Sequence, residues 1–361
     1  MAAGPIPHWP GRMVCLTGGE RVWLAEAGRS VRDDHAVGED AVLCVHGMAG
    51  AATNWTDFMA ELAGEFSCAA VDLPGSGFSP PPATPAGYSV PALARTVARV
   101  IEDHFPGPAH LVGNSMGGAV ALKLAAARPD LLRTLTLISP ALPDLVLRSS
   151  LVQFPVLALP RIGAMLMRRA GLLSAEHRVA AVARGCFYDP GVIHPDRFAF
   201  EVAELRRRDQ LGYADAAIVG AARAMTLEYL RPRSRSLWRD AERVRVPVLA
   251  IYGSHDKLVH PRGAARAAGA FRAAPDARVL VLPRTGHVAQ MEYPGLVADH
   301  FREMVRRARG MPERARGLSR ERKSPHLGGT GVAPREITAW ELVQCRCHRW
   351  LSRPPGCRST R

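Results

Sequence analysis

Six short runs of aliphatic and β-branched residues recur along the chain, each ending in or beside Gly, Pro, Ser or Asp. They are Ala41–Val45, Cys68–Asp72, His110–Gly113, Thr134–Ile138, Val246–Ile251 and Arg278–Leu282. These runs are continuously apolar, with little alternation, as strands buried on both faces of a parallel sheet are. Helical stretches lie between most of them, among them Val90–His104, Met116–Arg128 and Arg262–Phe271. Strand and helix therefore alternate, and the expected class is α/β. Ahead of the first run, Arg12–Leu16 and Arg21–Ala25 flank Thr17-Gly18-Gly19-Glu20, a turn sequence that predicts an antiparallel hairpin at the sheet edge. The expectation is a mostly parallel sheet of about eight strands with helices on both faces.

One gap breaks the rhythm. Between Ile138 and Val246 no buried-strand run occurs, and the segment reads as helical, with Phe154, Met165, Met167, Phe187, Tyr188, Phe198, Phe200, Tyr213, Met225, Tyr229 and Trp238 spread through it. An insertion of this size on an open sheet is expected to cap the carboxyl ends of the strands, where such folds bind ligands. Most of its apolar side chains would form its own core and a minority would touch substrate. The expected organisation is residues 1–139 and 246–309 as two parts of one core, 140–245 as a helical cap, and 310–361 as a basic tail without periodicity, expected to be disordered.

Composition narrows the partners. The formal net charge of +14 suggests nucleic acid until it is divided: only Lys123, Lys257 and Lys323 are lysine among 47 basic residues, and the arginines accompany many Ala, Gly and Pro. That is the signature of codon bias, and half of the excess charge sits in the tail. No nucleic-acid partner is expected. Seven cysteines in 361 residues are too few for a disulfide scaffold. The first ten residues lack the basic start and apolar run of an export signal, so a cytoplasmic location is expected. Leu151–Met167 is the nearest approach to a membrane span, but Pro155, Pro160, Arg161 and Gly163 interrupt it and it falls short of the roughly 20 residues a bilayer requires. It reads as a lid or core segment.

The sharpest chemical signal is Gly113-Asn114-Ser115-Met116-Gly117, between a buried strand and a helix. G-x-S-x-G in this context predicts a tight turn that raises a serine hydroxyl above the sheet at a helix N-terminus, where free N–H groups favour developing negative charge. A serine hydroxyl is a weak nucleophile and needs a base. His287, in Arg284-Thr285-Gly286-His287-Val288 after the last strand, fits best, whereas His46, His110 and His348 stand elsewhere. The histidine needs a carboxylate to fix its tautomer. Asp256, after the seventh strand, is the choice, and Asp144, after the sixth, is its geometric rival. The order Ser115, Asp256, His287 is that of nucleophile-elbow hydrolases. For an oxyanion hole, His46-Gly47-Met48-Ala49-Gly50 follows the third strand, and its glycines would let the Met48 N–H point beside that of Met116.

These blocks together resemble the α/β-hydrolase superfamily over roughly residues 12–308. The matching segments are His46-Gly47 with Trp55 downstream, Asp72-Leu-Pro-Gly75-Ser-Gly77-Phe-Ser79, Gly113–Gly118, Gly253-Ser-His-Asp256, and Gly286-His287-Val-Ala-Gln-Met-Glu292-Tyr-Pro294. The resemblance implies a lidded fold, Ser115 as nucleophile and hydrolysis of an ester-like bond without a cofactor. Serine at 115 argues against the epoxide hydrolases and haloalkane dehalogenases, which carry aspartate there. The expected substrate is a small or medium apolar carboxylic ester. Alternatives are a C–C bond or thioester hydrolase on the same fold, and a ligand-binding protein that turns over slowly or not at all. A homodimer is left open. Gly75-Ser-Gly77 does not continue as a dinucleotide loop, because position 80 is proline. Cys345-Arg-Cys347-His348 with Cys357 matches no common zinc spacing, so no metal is expected.

Overall fold

The computed structural model describes residues 6–28, 41–143, 155–310 and 335–336. Its sheet has nine strands: β1 (Gly11–Cys15), β2 (Arg21–Ala27), β3 (Ala41–Val45), β4 (Ser67–Asp72), β5 (Ala109–Asn114), β6 (Leu132–Ile138), β7 (Val248–Gly253), β8 (Ala277–Leu282) and β9 (Arg335–Glu336). They lie in the order β1-β2-β4-β3-β5-β6-β7-β8-β9. Strands β3 to β8 are mutually parallel. The predicted hairpin forms one edge, with Met13 opposite Trp23. Strands β3, β4, β5 and β7 are buried at every position, which is why their sequences show no alternation. The predicted run from Val246 becomes a strand only at Val248, because Pro247 has no N–H to give to the ladder.

Helices cover both faces. The chain-ordered helices are α1 (Thr56–Leu62), α2 (Val90–His104), α3 (Met116–Ala127), α4 (Pro160–Ala170), α5 (Ala175–Cys186), α6 (Pro195–Asp209), α7 (Ala214–Tyr229), α8 (Leu237–Ala241), α9 (Gly263–Ala268), α10 (Ala289–Glu292) and α11 (Pro294–Ala308). Helix α2 buries Val90, Leu93, Val97, Val100 and Ile101, the spacing of a single helical face, against α3 and one side of the sheet. On the other side α1 and α11 close a second core around Trp55, Phe58, Val112, Ile251 and Phe301. Helix α11 begins with Pro294 at its first turn, where the missing N–H costs nothing.

Helices α4 to α8 occupy the long gap between β6 and β7. Ser174 caps α5 by accepting from the His177 N–H, and His194 caps α6 by accepting from that of Asp196. Asp144 and Phe154 lie outside the described residues, as do His348 and Cys345, Cys347 and Cys357. Within the stretch past Gly310, where no element is legible, Arg335–Glu336 pairs antiparallel with β8; two residues are too few to leave a periodic signature. Among the described residues no helix is long and apolar enough to cross a membrane.

Strand order reverses around β3 and β5: the chain leaves β3 toward β4 on one side, and leaves β5 toward β6 on the other. Loops diverge at such a switch point and open a crevice at the strands' carboxyl ends. The loop after β3 and the turn after β5 both border that crevice.

Candidate active site

Ser115 follows β5 with φ 55° and ψ −118°, a positive-φ backbone that a non-glycine residue adopts only under compulsion. The compulsion is visible in its bonds: its N–H donates to the Ile138 carbonyl, and its own carbonyl accepts from the N–H groups of Ala119 and Ala141. The flanking glycines are required by close approach. A Cβ on Gly117 would overlap the carbonyl oxygens of Val45 and His46, and one on Gly113 would press on the carbonyl of Gly117. The turn therefore lifts a half-buried Ser115 side chain off the end of the sheet at the start of α3. Met116 is the first residue of that helix, so its N–H has no intrahelical partner.

The loop after β3 lies against this turn, since a Cβ on Gly47 would stand 3.1 Å from the Ser115 Cβ. Gly47 to Gly50 closes as a tight turn through the Gly50 N–H and the Gly47 carbonyl, 3.1 Å apart, with Ala49 at φ 59°. His46 holds it from beneath. The Leu73 N–H donates to His46 Nε2 at 3.0 Å, so Nδ1 carries the proton and donates to the Gly47 carbonyl at 2.7 Å. Burial holds the imidazole down to about 4, against the lesser opposing pull of the Gly47 bond, so His46 stays neutral. Asp72, also buried, accepts from the N–H groups of Ala52 and Phe78. Burial raises its carboxyl to about 6, those two bonds opposing.

His287 and Asp256 form a buried pair, 4% and 2% exposed. The His287 Nδ1–H donates to Asp256 Oδ2 at 2.9 Å. Asp256 Oδ1 accepts from the N–H groups of Leu258 at 2.8 Å and Val259 at 2.9 Å. Burial works to raise the Asp256 carboxyl, but the charge and hydrogen bond of His287, the Val259 N–H and the Ser139 hydroxyl outweigh it and keep it below the ordinary carboxylate value. The aspartate is thus an anion committed to the histidine.

Two residues that sequence reasoning passed over tie these parts together. The Asn114 Nδ2 group donates to the His287 carbonyl and to that of Ile138, both at 3.0 Å, joining the residue before Ser115 to the histidine. Glu292 accepts from the Gly286 N–H at 2.7 Å and from the Tyr188 N–H at 2.9 Å, fastening the histidine loop to the segment after α5. Burial pushes its carboxyl above the ordinary range, with those two donors opposing. Both residues stand inside motifs already legible in the sequence. The end of α5 itself touches the histidine: the His287 N–H donates to the Cys186 carbonyl at 2.6 Å. Burial, then the charges of Asp256 and Glu292, push the Cys186 thiol up to about 12, which leaves it inert.

Helix α6 reaches the crevice from above. Arg208 Nη1 donates to the Ala49 carbonyl at 2.9 Å, Arg207 donates to that of Gly77 at 2.7 Å, and Arg197 pairs with Asp57. Between these elements lies a pocket open in part to solvent, lined by Ala49, Leu73, Tyr88, Met116, Arg208 and Ala221 among others. Most of its wall is apolar.

The sequence profile described as the alpha/beta hydrolase fold matches residues 40–294, and the chain belongs to that family. Among curated relatives, the dihydrolipoyllysine-residue acetyltransferase component of the acetoin cleaving system of Cupriavidus necator is 29% identical, over 71% of this chain and 60% of its own length. The chain thus spans only 60% of that relative. The pimeloyl-acyl-carrier-protein methyl ester esterase of Neisseria meningitidis serogroup C is 27% identical, over 73% of this chain and 93% of the esterase. Among solved structures, Cfl2 from Burkholderia cenocepacia has the same fold, with a TM-score of 0.68 and 22% identity, covering 84% of this chain and 99% of that one.

Proposed function

We propose that the protein is a serine hydrolase acting on small or medium apolar carboxylic esters. Ser115 attacks the carbonyl carbon while His287 takes its proton; Asp256 holds His287 in the tautomer whose Nε2 is free to accept and offsets the imidazolium that results. The Met48 and Met116 N–H groups receive the oxyanion. The leaving alcohol takes the proton from His287, and water then releases the acyl group by the same steps in reverse order, so no cofactor is needed. The insertion, residues 140–245, acts as a cap, with α7 and Arg208 of α6 lining the cavity and Arg208 steadying the oxyanion turn through Ala49.

The observation that carries this reading is the buried Asp256–His287 pair on the same sheet end as a serine held in a positive-φ turn. The mostly apolar wall of the cavity favours an apolar acyl chain. The resemblance to a methyl ester esterase supports an ester as the bond. Turnover of p-nitrophenyl esters from acetate to dodecanoate tests it. Hydrolysis should peak at short to medium chains and vanish in Ser115→Ala. Cleavage of thioesters or vinylogous diketones in preference to every ester would overturn the ester assignment.

A further inference from the structure

Helix α4 is amphipathic, yet it packs with its small side inward. Gly163 is buried, since a Cβ there would overlap the Leu157 carbonyl oxygen and stand 3.1 Å from Val219 of α7, while Leu159, Ile162, Met165 and Leu166 are exposed. The turn that follows adds Leu172 and Leu173, 86% and 58% exposed. Positions 159, 162 and 166 are spaced three and four residues apart, so this is one continuous apolar stripe and not scattered side chains. A stripe of this kind on a water-soluble surface marks an interaction site.

Charge identifies what it meets. Residues 155–175 contain Arg161, Arg168 and Arg169 and no acidic residue. All three arginines are exposed, and among the described residues none forms an ion pair. Elsewhere on the insertion Arg178, Arg197, Arg206 and Arg207 each have a carboxylate partner. Arg161 and Arg168 fall on one flank of the stripe and Arg169 at its end. An apolar face bordered by exposed cations suits the boundary between acyl chains and anionic headgroups, where arginines hold the phosphates and leucines enter the acyl layer.

We propose that α4 and the turn after it form a docking surface for an anionic lipid membrane, on which the protein lies without crossing it. This inference does not rest on the chemistry assigned to Ser115. Because every residue involved is exposed, substitutions there leave the core intact.

Flotation with vesicles tests it, using the full-length protein with equal parts phosphatidylglycerol and phosphatidylcholine against phosphatidylcholine alone. Wild type should float with the anionic vesicles, much less with the zwitterionic ones, and less as salt is raised. Ile162→Glu with Leu166→Glu should abolish flotation. The triple change Arg161→Gln, Arg168→Gln and Arg169→Gln should weaken binding to anionic vesicles on the order of 100-fold, from three charges near the surface, with unchanged thermal midpoints in both variants. Wild type that stays with the bulk in anionic vesicles, or floats equally well with either set of substitutions, overturns the proposal. So does a wild-type dimer without lipid binding that the glutamate variant turns into a monomer, since the stripe would then be covered by a second copy.

Discussion

Replacing Asp256 by asparagine changes one atom, and the bonds around it dictate the consequence. Oδ1 accepts from two backbone N–H groups, those of Leu258 and Val259, and Oδ2 faces His287 Nδ1. An asparagine must leave its oxygen in the first position, because turning the amide would set its NH₂ group against two buried N–H donors at about 1–3 kcal/mol apiece. The NH₂ group then donates to His287 Nδ1. That fixes the imidazole proton on Nε2, the atom that must accept from Ser115, so the base is present but in the wrong tautomer. The expected loss is roughly 10⁴-fold in kcat, about 5 kcal/mol of transition-state stabilisation, with KM little changed. Steady-state hydrolysis of p-nitrophenyl butyrate, with kcat and KM separated and the thermal midpoint recorded for both proteins, provides the assay. An Asp256→Asn protein that folds and keeps more than roughly a tenth of the wild-type kcat would refute the reasoning, since wrong-tautomer effects are far larger than that.

Three further outcomes follow from the geometry. Ser115 sits at φ 55°, so Ser115→Gly should be more stable than Ser115→Ala by about 1 kcal/mol, a few degrees in thermal midpoint, although neither has activity; equal midpoints would show that the turn is not strained. Arg208→Ala should lower kcat roughly 10-fold or more at nearly constant KM, because it frees the Ala49 carbonyl and the turn that carries Met48. Arg208→Lys should recover most of that loss, since a single bond to a carbonyl needs only one donor; failure of lysine to rescue would point to a contact with substrate instead. For pH, His46 is held at about 4 when folded against 6.5 ordinarily, so its contribution to stability is complete above pH 6.5 and is lost as pH falls toward 4. Asp72, raised to about 6 from 3.8, acts in the opposite sense, contributing stability below pH 4 that is lost as pH rises through 6. The two offset one another between pH 4 and 6, each on the order of 3 kcal/mol. In His46→Gln only the aspartate contribution remains, so its urea-unfolding free energy should rise relative to wild type on going from pH 6.5 to 4.5; parallel pH curves would contradict it.

Much of this architecture is legible in the amino-acid sequence, for physical reasons. Strands β3, β4, β5 and β7 are buried on both sides, so each reads as an unbroken apolar run. Gly113 and Gly117 bracket Ser115 because backbone atoms occupy the space their side chains would take, and that need is written at fixed spacing in the chain. Contacts between distant segments are not written locally. Nothing near Arg208 signals that it meets Ala49, 159 residues earlier, and Glu292 gives no sign in sequence that it bridges Gly286 and Tyr188. Helix α4 shows a different limit. Its periodicity reveals an apolar stripe but not which of its residues stay at the surface: Gly163 is buried against Leu157 and Val219, while Leu159, Ile162, Met165 and Leu166 are exposed. The cavity likewise takes Ala217, Ile218 and Ala221 from the insertion, small or aliphatic residues of α7 that composition alone does not single out.

The central claim is that Ser115 is an activated nucleophile, and covalent capture measures that directly. Wild type, Ser115→Ala and His287→Ala should be treated with a fluorophosphonate, followed by intact-mass analysis and peptide mapping. The account predicts a single adduct on wild type, mapped to Ser115, with none on Ser115→Ala and strongly slowed labelling of His287→Ala. Folded wild type that takes up no adduct, or an adduct that persists in Ser115→Ala, would contradict it.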